Sequence, residues 1–473
     1  MHKSNQADLQ LTLQLIGRAV PAVEPHAARI APPPPSADLR APGELQPTLL
    51  ETIGVILRIS MMVGKAILQA WLHEVSRQLD RPEAGTGGRR SCPCPSCGST
   101  TWTYKGKDKA KNRKVFRSIF GEVAFIRSPA RCSRCRTWFH PLDVLLGLGK
   151  GKLFPGLQRI CVCLGAHLPF RLAASIVEMT TGQRLAPGTI RNALREVGKS
   201  FVARMGLDWE PELAILRAAM AAAKGPVTIE LMPDGCMVPM NKKPKDEDGS
   251  HREARSACFR MRDATGTILA NLMFSRLTDL KSFLRDVASL VDECRETLDI
   301  HKIRICGDGA SWIWDFATSN QILEQILDWF HLYEKALKLG ASLHGTPTPK
   351  RRRRIQGIVD ALWEGRVDQA EKLLGGLRAQ DPVEREAKKE LCSYLKNRRG
   401  AIRNYKWRKQ RGLLIGSGAI EGGQKFIVGN RLKGAGMRWS ELGADLVMAA
   451  RCTVVNGTSD YDILKANLTC RAA

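Results

Sequence analysis

The chain has 473 residues, 44% of them hydrophobic, enough for a buried core and roughly three domains at ~100–200 residues each. Lys and Arg number 73 against 47 Asp and Glu, a formal charge of +26. That excess points to an acidic polymer as partner, with nucleic acid first. Met1–Leu9 is polar and unlike a secretory leader. Ile53–Leu72, the most apolar helical stretch, contains Arg58 and Lys65 and falls short of the ~18 uninterrupted apolar residues of a membrane span. No membrane association is expected, and the chain reads as cytosolic. In a reducing compartment, 14 cysteines suggest a metal site plus scattered core thiols.

In chain order, residues 1–47 read as a flexible segment whose consecutive prolines forbid a helix. Residues 48–88 read as a helical region with apolar side chains at helical spacing from Ile53 to Val75, a packing or dimerisation helix. Residues 89–141 hold Cys94-Pro-Ser-Cys97 and Cys132-Ser-Arg-Cys135. Two residues between thiolates make a knuckle that offers both sulfurs to one ion, and two knuckles complete a tetrahedral shell. Strands are expected at Val115–Ile119 and Val123–Ile126, with Gly121 at the bend: a zinc-ribbon plan holding structural Zn²⁺. Cys92 is an alternative to Cys94. The basic run Lys105–Arg117, beside Trp102 and Tyr104, suits a nucleic-acid backbone or a solvated face.

Residues 142–205 read as a helical domain. Ala173, Ala174, Ile176 and Val177 form one apolar face, Gly182 breaks that helix, and Pro187-Gly188-Thr189 opens the next. There Ile190, Leu194 and Val197 point inward and Arg191, Asn192 and Arg195 outward. That is helix-turn-helix chemistry for the DNA major groove, against an ordinary helical hairpin.

Residues 224–340 change period. Val227, Ile229 and Leu231 alternate with polar neighbours, and Asp234-Gly235 ends that strand. Ala257–Met261 and Thr267–Phe274 are two more strands, Asp279–Leu298 an amphipathic helix, and Ile303–Cys306 a fourth strand that stops at Gly307-Asp308-Gly309. Glycines on both sides of a carboxylate suggest close approach by a ligand or backbone, and strand ends are where α/β sheets place ligands. A short fifth strand at Ile326-Leu327 precedes Asp328-Trp-Phe-His331. The order predicts an α/β, ribonuclease H-like catalytic domain with its first and fourth strands adjacent and parallel. Asp234 and Asp308 would then face one another, which a divalent cation between them would explain. Glu230 and Asp315 are nearby candidates, read as supporting groups.

Residues 341–411 read as an all-α insertion opening with the basic cluster Lys350–Arg354, a phosphate contact or a solvated run. Residues 412–456 return to the catalytic domain with Gly416-Ser-Gly-Ala-Ile-Glu421-Gly-Gly. Small neighbours there would admit a metal or phosphate to Glu421, and Lys425, Arg431 and Lys433 are expected at DNA. Residues 457–473 read as a loose tail.

Together, Cys94-x-x-Cys97 with Cys132-x-x-Cys135, Asp234-Gly235, Gly307-Asp-Gly-Ala-Ser-Trp312-Ile-Trp314, Asp328-Trp-Phe-His331, Gly416-Ser-Gly-Ala-Ile-Glu421, Arg431-Leu-Lys433 and Gly436-Met-Arg-Trp439 resemble the DDE transposases of bacterial insertion sequences, closest to the ISKra-type family. Asp328-x-x-His331 is also similar to a signature near the active centre of Mutator-type transposases. The resemblance implies an insertion-sequence transposase that cuts and joins double-stranded DNA at element ends and target. Asp234, Asp308 and Glu421 would hold two Mg²⁺ (or Mn²⁺) ions about 3.5–4 Å apart, with Asp328 and His331 auxiliary. Pairing two ends implies a homodimer or higher on DNA. A non-catalytic DNA-binding regulator and a structure-selective nuclease are the competing readings.

Overall fold

The computed structural model describes residues 45–79, 92–104, 112–148, 152–241, 251–340, 348–379 and 381–458. The expectations for residues 1–44, for most of the basic run (105–111), for the segment leading to Lys350 (341–347) and for the tail beyond Thr458 lie outside these. The chain divides into two compact units, residues 1–194 with 459–473 and residues 195–458.

In the first unit, α1 (Leu45–Leu79) places Leu68, Leu72 and Val75 against a core that includes Trp102, Phe116, Phe125 and Phe139. The 3.6-residue period puts those three on one stripe. Strands β1 (Trp102–Tyr104), β4 (Ala130–Cys132) and β5 (Trp138–Phe139) form an antiparallel sheet in the order β1-β4-β5, and β2 (Arg113–Ser118) pairs with β3 (Gly121–Ile126) as a hairpin. Gly121 turns that hairpin at φ 110°, a conformation glycine adopts without strain. Helices α2 (Pro141–Leu145), α3 (Pro155–His167), α4 (Phe170–Thr181) and α5 (Pro187–Arg204) follow. Gly182, left-handed at φ 66°, caps α4. Ile190, Leu194 and Val197 of α5 are fully buried as expected, while Arg191 and Asn192 are exposed.

The second unit takes in α5 from Arg195 onward, continues with α6 (Glu210–Met220) and is organised around a five-stranded sheet. Its strands are β6 (Val227–Pro239), β7 (His251–Arg262), β8 (Ile268–Arg276), β9 (Ile300–Gly307) and β10 (Glu324–Leu327), in the order β10-β9-β6-β7-β8. β9 runs parallel to both β6 and β10, whereas β7 and β8 add antiparallel. β6 does not stop at Asp234: its ladder with β7 continues from Asp234↔Ser256 to Pro239↔His251. The parallel pairing with β9 ends earlier, at Leu231↔Ile305. Asp234 therefore sits where β6 outruns its neighbour, with one edge of the strand released.

Helix α7 (Leu280–Thr297) links β8 to β9. Its Asp279 cap accepts from the Ser282 N–H, and its stripe of Phe283, Val287, Leu290, Val291 and Cys294 is buried. α8 (Ser311–Ser319) and α9 (Trp329–Leu337) follow the last two strands. The insertion consists of α10 (Pro349–Trp363), α11 (Val367–Gly375), α12 (Pro382–Arg398) and α13 (Tyr405–Gln410). Arg351, expected in a phosphate-contacting cluster, is buried instead, paired through Nε and Nη2 with both carboxylate oxygens of Glu384. A bidentate partner on α12 converts that charge into a clamp between helices. α14 (Gly418–Gln424), a π-turn at Lys425–Gly429, α15 (Asn430–Leu432) and α16 (Glu441–Asn456) complete the unit.

Candidate metal centres

The two C-x-x-C knuckles meet. Cys94 Sγ lies 3.6 Å from Cys135 Sγ, and Cys97 Sγ 3.6 Å from Cys132 Sγ. A tetrahedron with Zn–S bonds of ~2.3 Å has edges of ~3.8 Å, so the four-sulfur set fits zinc. The knuckles match: Gly98 N–H bonds Cys94 O, Arg136 N–H bonds Cys132 O, and Gly98 and Arg136 both take positive φ. Burial pushes the Cys94 thiol up to about 12, while the Thr137 hydroxyl and N–H bring Cys135 down to about 6. Cys92 stands apart, its thiol directed at Pro141 O, which settles the register in favour of Cys94.

The second centre follows from strand register. Glu230 pairs with Arg304, and Arg304 with Glu324. Four residues on from these stand Asp234, still within β6, and Asp308 and Asp328, each one residue past the end of its strand. The shared register brings the three acids to neighbouring positions at the same end of the parallel strands, and the Asp308 charge acts on Asp234 there. Each acid is fixed by a nearby N–H: Gly235 N donates to Asp234 Oδ1 at 2.7 Å, Ala310 N to Asp308 Oδ1 at 2.9 Å, and His331 N to Asp328 Oδ1 at 3.0 Å. Burial pushes the Asp234 carboxyl up to about 6, with the Asp308 and Glu421 charges adding to the rise. Glu230, on the same face of β6 as Asp234, is fully buried between Arg262 and Arg304, a structural pair. Asp315 is exposed on α8.

Glu421 reaches this centre through Asp328. The buried Asp328 carboxylate accepts from both the backbone N–H and the hydroxyl of Ser417, the latter at 2.6 Å. Ser417 Oγ in turn lies 3.5 Å from Glu421 Oε1. Trp329 N–H adds a bond to Ile415 O at 3.0 Å, so the start of α9 and the approach to α14 are tied together. Burial alone would raise Asp328, but the bonds from His331 and Ser417 outweigh it and hold it below the usual carboxylate range. Pairing with Asp328, Nδ1 to Oδ1 at 3.4 Å, pushes the His331 imidazole up to about 9. Asp328, His331 and Glu421 form the tight donor cluster, each able to bring a ligand atom within 4.8 Å of the others. Of the expected trio, only Glu421 falls in that cluster; Asp234 and Asp308 stand outside it, and Asp328 and His331, expected as auxiliary groups, form its other two members. Ser417 was within a quoted motif, yet nothing local marks it as the anchor.

The glycines around these acids serve packing. A Cβ on Gly307 would meet Ile313, one on Gly309 the Tyr394 ring, and one on Gly423 the end of Met273. Protein side chains make the close approach at Gly307, Gly309 and Gly423, and Gly422 alone of these four faces open space. Among the residues expected at DNA, Arg191, Asn192, Lys425 and Lys433 are exposed. Arg195 is half-buried, with Nη2 beside Gly443 at the start of α16. Arg431 is buried, its guanidinium 5.2 Å from the Trp439 ring centroid, so the outward cation expected there is turned into the core.

The model of the uncharacterised protein family UPF0236 matches residues 100–464. Curated relatives include three UPF0236 proteins of Caldanaerobacter subterraneus subsp. tengcongensis. One is 23% identical over 86% of this chain and 78% of its own length. A second is 21% identical over 86% and 78%, and a third 21% identical over 86% and 74%. The first is named by eleven locus designations, the second by four and the third by two. A solved structure, the "Drosophila P element transposase strand transfer complex", overlaps 67% of this chain and 82% of its own at 9% identity, with a TM-score of 0.25, too slight a likeness to bear on the fold. Among the described residues, no helix is long and apolar enough to cross a membrane.

Proposed function

The chain belongs to UPF0236, an uncharacterised family that brings no activity with membership, and from the chemistry of its second unit we propose that it is a DDE-type DNA transposase on a ribonuclease H-like sheet. The observation that carries this reading is that Asp234, Asp308 and Asp328 stand in register at the same end of the neighbouring strands β6, β9 and β10, with Glu421 tied to Asp328 through Ser417. Carboxylate oxygens at strand ends suit hard divalent cations. Asp234, Asp308 and Glu421 would hold two Mg²⁺ or Mn²⁺ ions, which when bound supply Lewis acidity at a phosphodiester and an activated water or 3′-hydroxyl.

The rest is the work of this chain's own side chains. Gly235 and Ala310 N–H each take one carboxylate oxygen and leave the other for a ligand. Asp328 positions α14 rather than binding substrate, since its oxygens are already committed to Ser417 and His331. His331 keeps a positive charge among the acids through neutral pH. Exposed Arg191 and Asn192 on α5 suit base edges in a major groove, and Lys425 and Lys433 suit the backbone next to the centre. One protein at many loci of one genome, as the relatives' names record, is what a self-propagating element leaves behind. Joining two ends calls for at least a dimer.

A strand-transfer assay tests the reading. The substrate is duplex DNA from the flanks of the reading frame, with its 3′ end labelled. Mg²⁺-dependent cleavage and joining, both lost in Asp308→Ala, are expected. Cleavage of branched DNA without joining would favour a nuclease, and DNA binding unaltered by Asp308→Ala with no cleavage in either protein would leave a regulator.

A further inference from the structure

Tyr394 rises from α12 of the insertion under the loop that carries Asp308. Its ring fills the space that a Cβ on Gly309 would need. One turn on, Arg398 donates through Nε and Nη2 to Gly309 O at 3.2 and 3.0 Å, and its guanidinium lies 5.5 Å from the Trp314 ring centroid. Trp314 Nε1 donates to Asp308 O at 3.0 Å. The backbone around Asp308 is therefore gripped by α12 and α8 together.

The ring has a packing role, but its oxygen does not. The Tyr394 hydroxyl is buried and, among the described residues, has no hydrogen-bond partner. Phenylalanine would fill the same space without stranding a donor, and an unpaired buried hydroxyl destabilises the fold. Burial first, and then the Asp308 and Asp328 charges, push this phenol above the usual tyrosine range. A cavity of about 310 Å³ lined by Gly309, Lys335, Tyr394 and Arg398, among others, leaves the ring room to tilt.

We propose that Tyr394 is a positioning residue of the acid centre, its hydroxyl donating a hydrogen bond to the Asp308 carboxylate when the centre is loaded with divalent ions. The assignment rests on the reading of Asp308 as a metal-holding acid. Ala310 N–H already occupies one lobe of Asp308 Oδ1. A second fixed donor leaves the carboxylate one orientation in which its remaining lone pairs can meet an ion. The helical insertion then contributes directly to the centre that its two flanking segments build.

The test compares wild type, Tyr394→Phe and Asp308→Ala as full-length, zinc-loaded chains. Mn²⁺ binding is followed by calorimetry, metal-dependent DNA cleavage by gel, and thermal unfolding by fluorescence. Tyr394→Phe should weaken Mn²⁺ binding and slow cleavage by roughly 10–100-fold, with DNA affinity unchanged and the metal-free melting temperature raised, as removal of a stranded hydroxyl requires. A purely structural ring would leave the Mn²⁺ midpoint where it was. If Mn²⁺ binding is sensitive to Asp308→Ala but Tyr394→Phe matches wild type, the assignment to Tyr394 is overturned and the transposase reading stands. If wild type neither binds Mn²⁺ through Asp308 nor cuts DNA, the transposase reading falls, and the role of Tyr394 falls with it.

Discussion

The cysteine cluster and the acid centre gather their donors by opposite routes. Cys94, Cys97, Cys132 and Cys135 come from two short knuckles with matching backbone bonds, and their sulfurs stand at the spacing a tetrahedral ion needs. Asp234 comes from a strand, Asp308 and Asp328 from the residues that directly follow two others, and Glu421 from a helix, brought together by a shared register and one serine. The first set closes a shell of four like ligands, the arrangement of structural sites. The second crowds like charges, raises Asp234, and keeps oxygens free for something that arrives later. One cluster has the donor set of an ion kept as part of a fold; the other, on the proposed reading, suits turnover.

The largest effect expected from this contrast is zinc removal. Chelation, or Cys97→Ser, should release about one equivalent of zinc and unfold the region around Cys92–Leu148, since structural zinc carries on the order of 10 kcal/mol of folding free energy. Circular dichroism with metal analysis reads it. Mn²⁺ binding by the acid centre should survive, and its loss would break the contrast. Next is Asp308→Ala: a fall in cleavage of roughly 10³-fold with no loss in melting temperature, because removing one of several crowded charges relieves repulsion.

Asp328→Asn is expected to rank third. It weakens charge-assisted bonds from Ser417 and His331, costing about 2–3 kcal/mol, seen in thermal melts alongside slower cleavage. Unchanged stability would remove Asp328 as the anchor of α14. The smallest effect is on pH. Asp234 is raised from the usual carboxylate range to about 6, so the metal-free fold binds its proton more tightly than the unfolded chain. Its contribution to stability falls as pH climbs from about 4 through 6. His331, raised to about 9, contributes fully below its unfolded value near 6.5 and loses that as pH passes 9. Melting curves from pH 4 to 10 without metal should show both declines, and added Mn²⁺ should abolish the first.

Much of this was open to reading because some contacts are local. C-x-x-C spacing declares its own geometry, and a period-two run that halts at Gly307-Asp308 declares a strand end. That β6 and β9 are parallel neighbours followed from the succession of elements. What stayed hidden depends on distant partners. β6 continues past Asp234 because β7 keeps pairing with it, and no residue in β6 announces that. Arg351 and Arg431 looked like surface cations, since a sequence does not reveal that Glu384 or Trp439 waits inside. Ser417 and Tyr394 carry no local mark; their importance lies in Asp328 and Gly309, far away along the chain.

The tie from Asp328 to Ser417 spans every helix of the insertion. During synthesis, the cysteine knuckles and α5 emerge well before Glu421 does. A nascent chain, or one clipped within α10 to α13, would on the proposed reading be able to sit on DNA yet lack the last acid needed to cut it. Incomplete copies would then compete with intact ones for the same ends, so that translation and proteolysis set a ceiling on the element's own mobility.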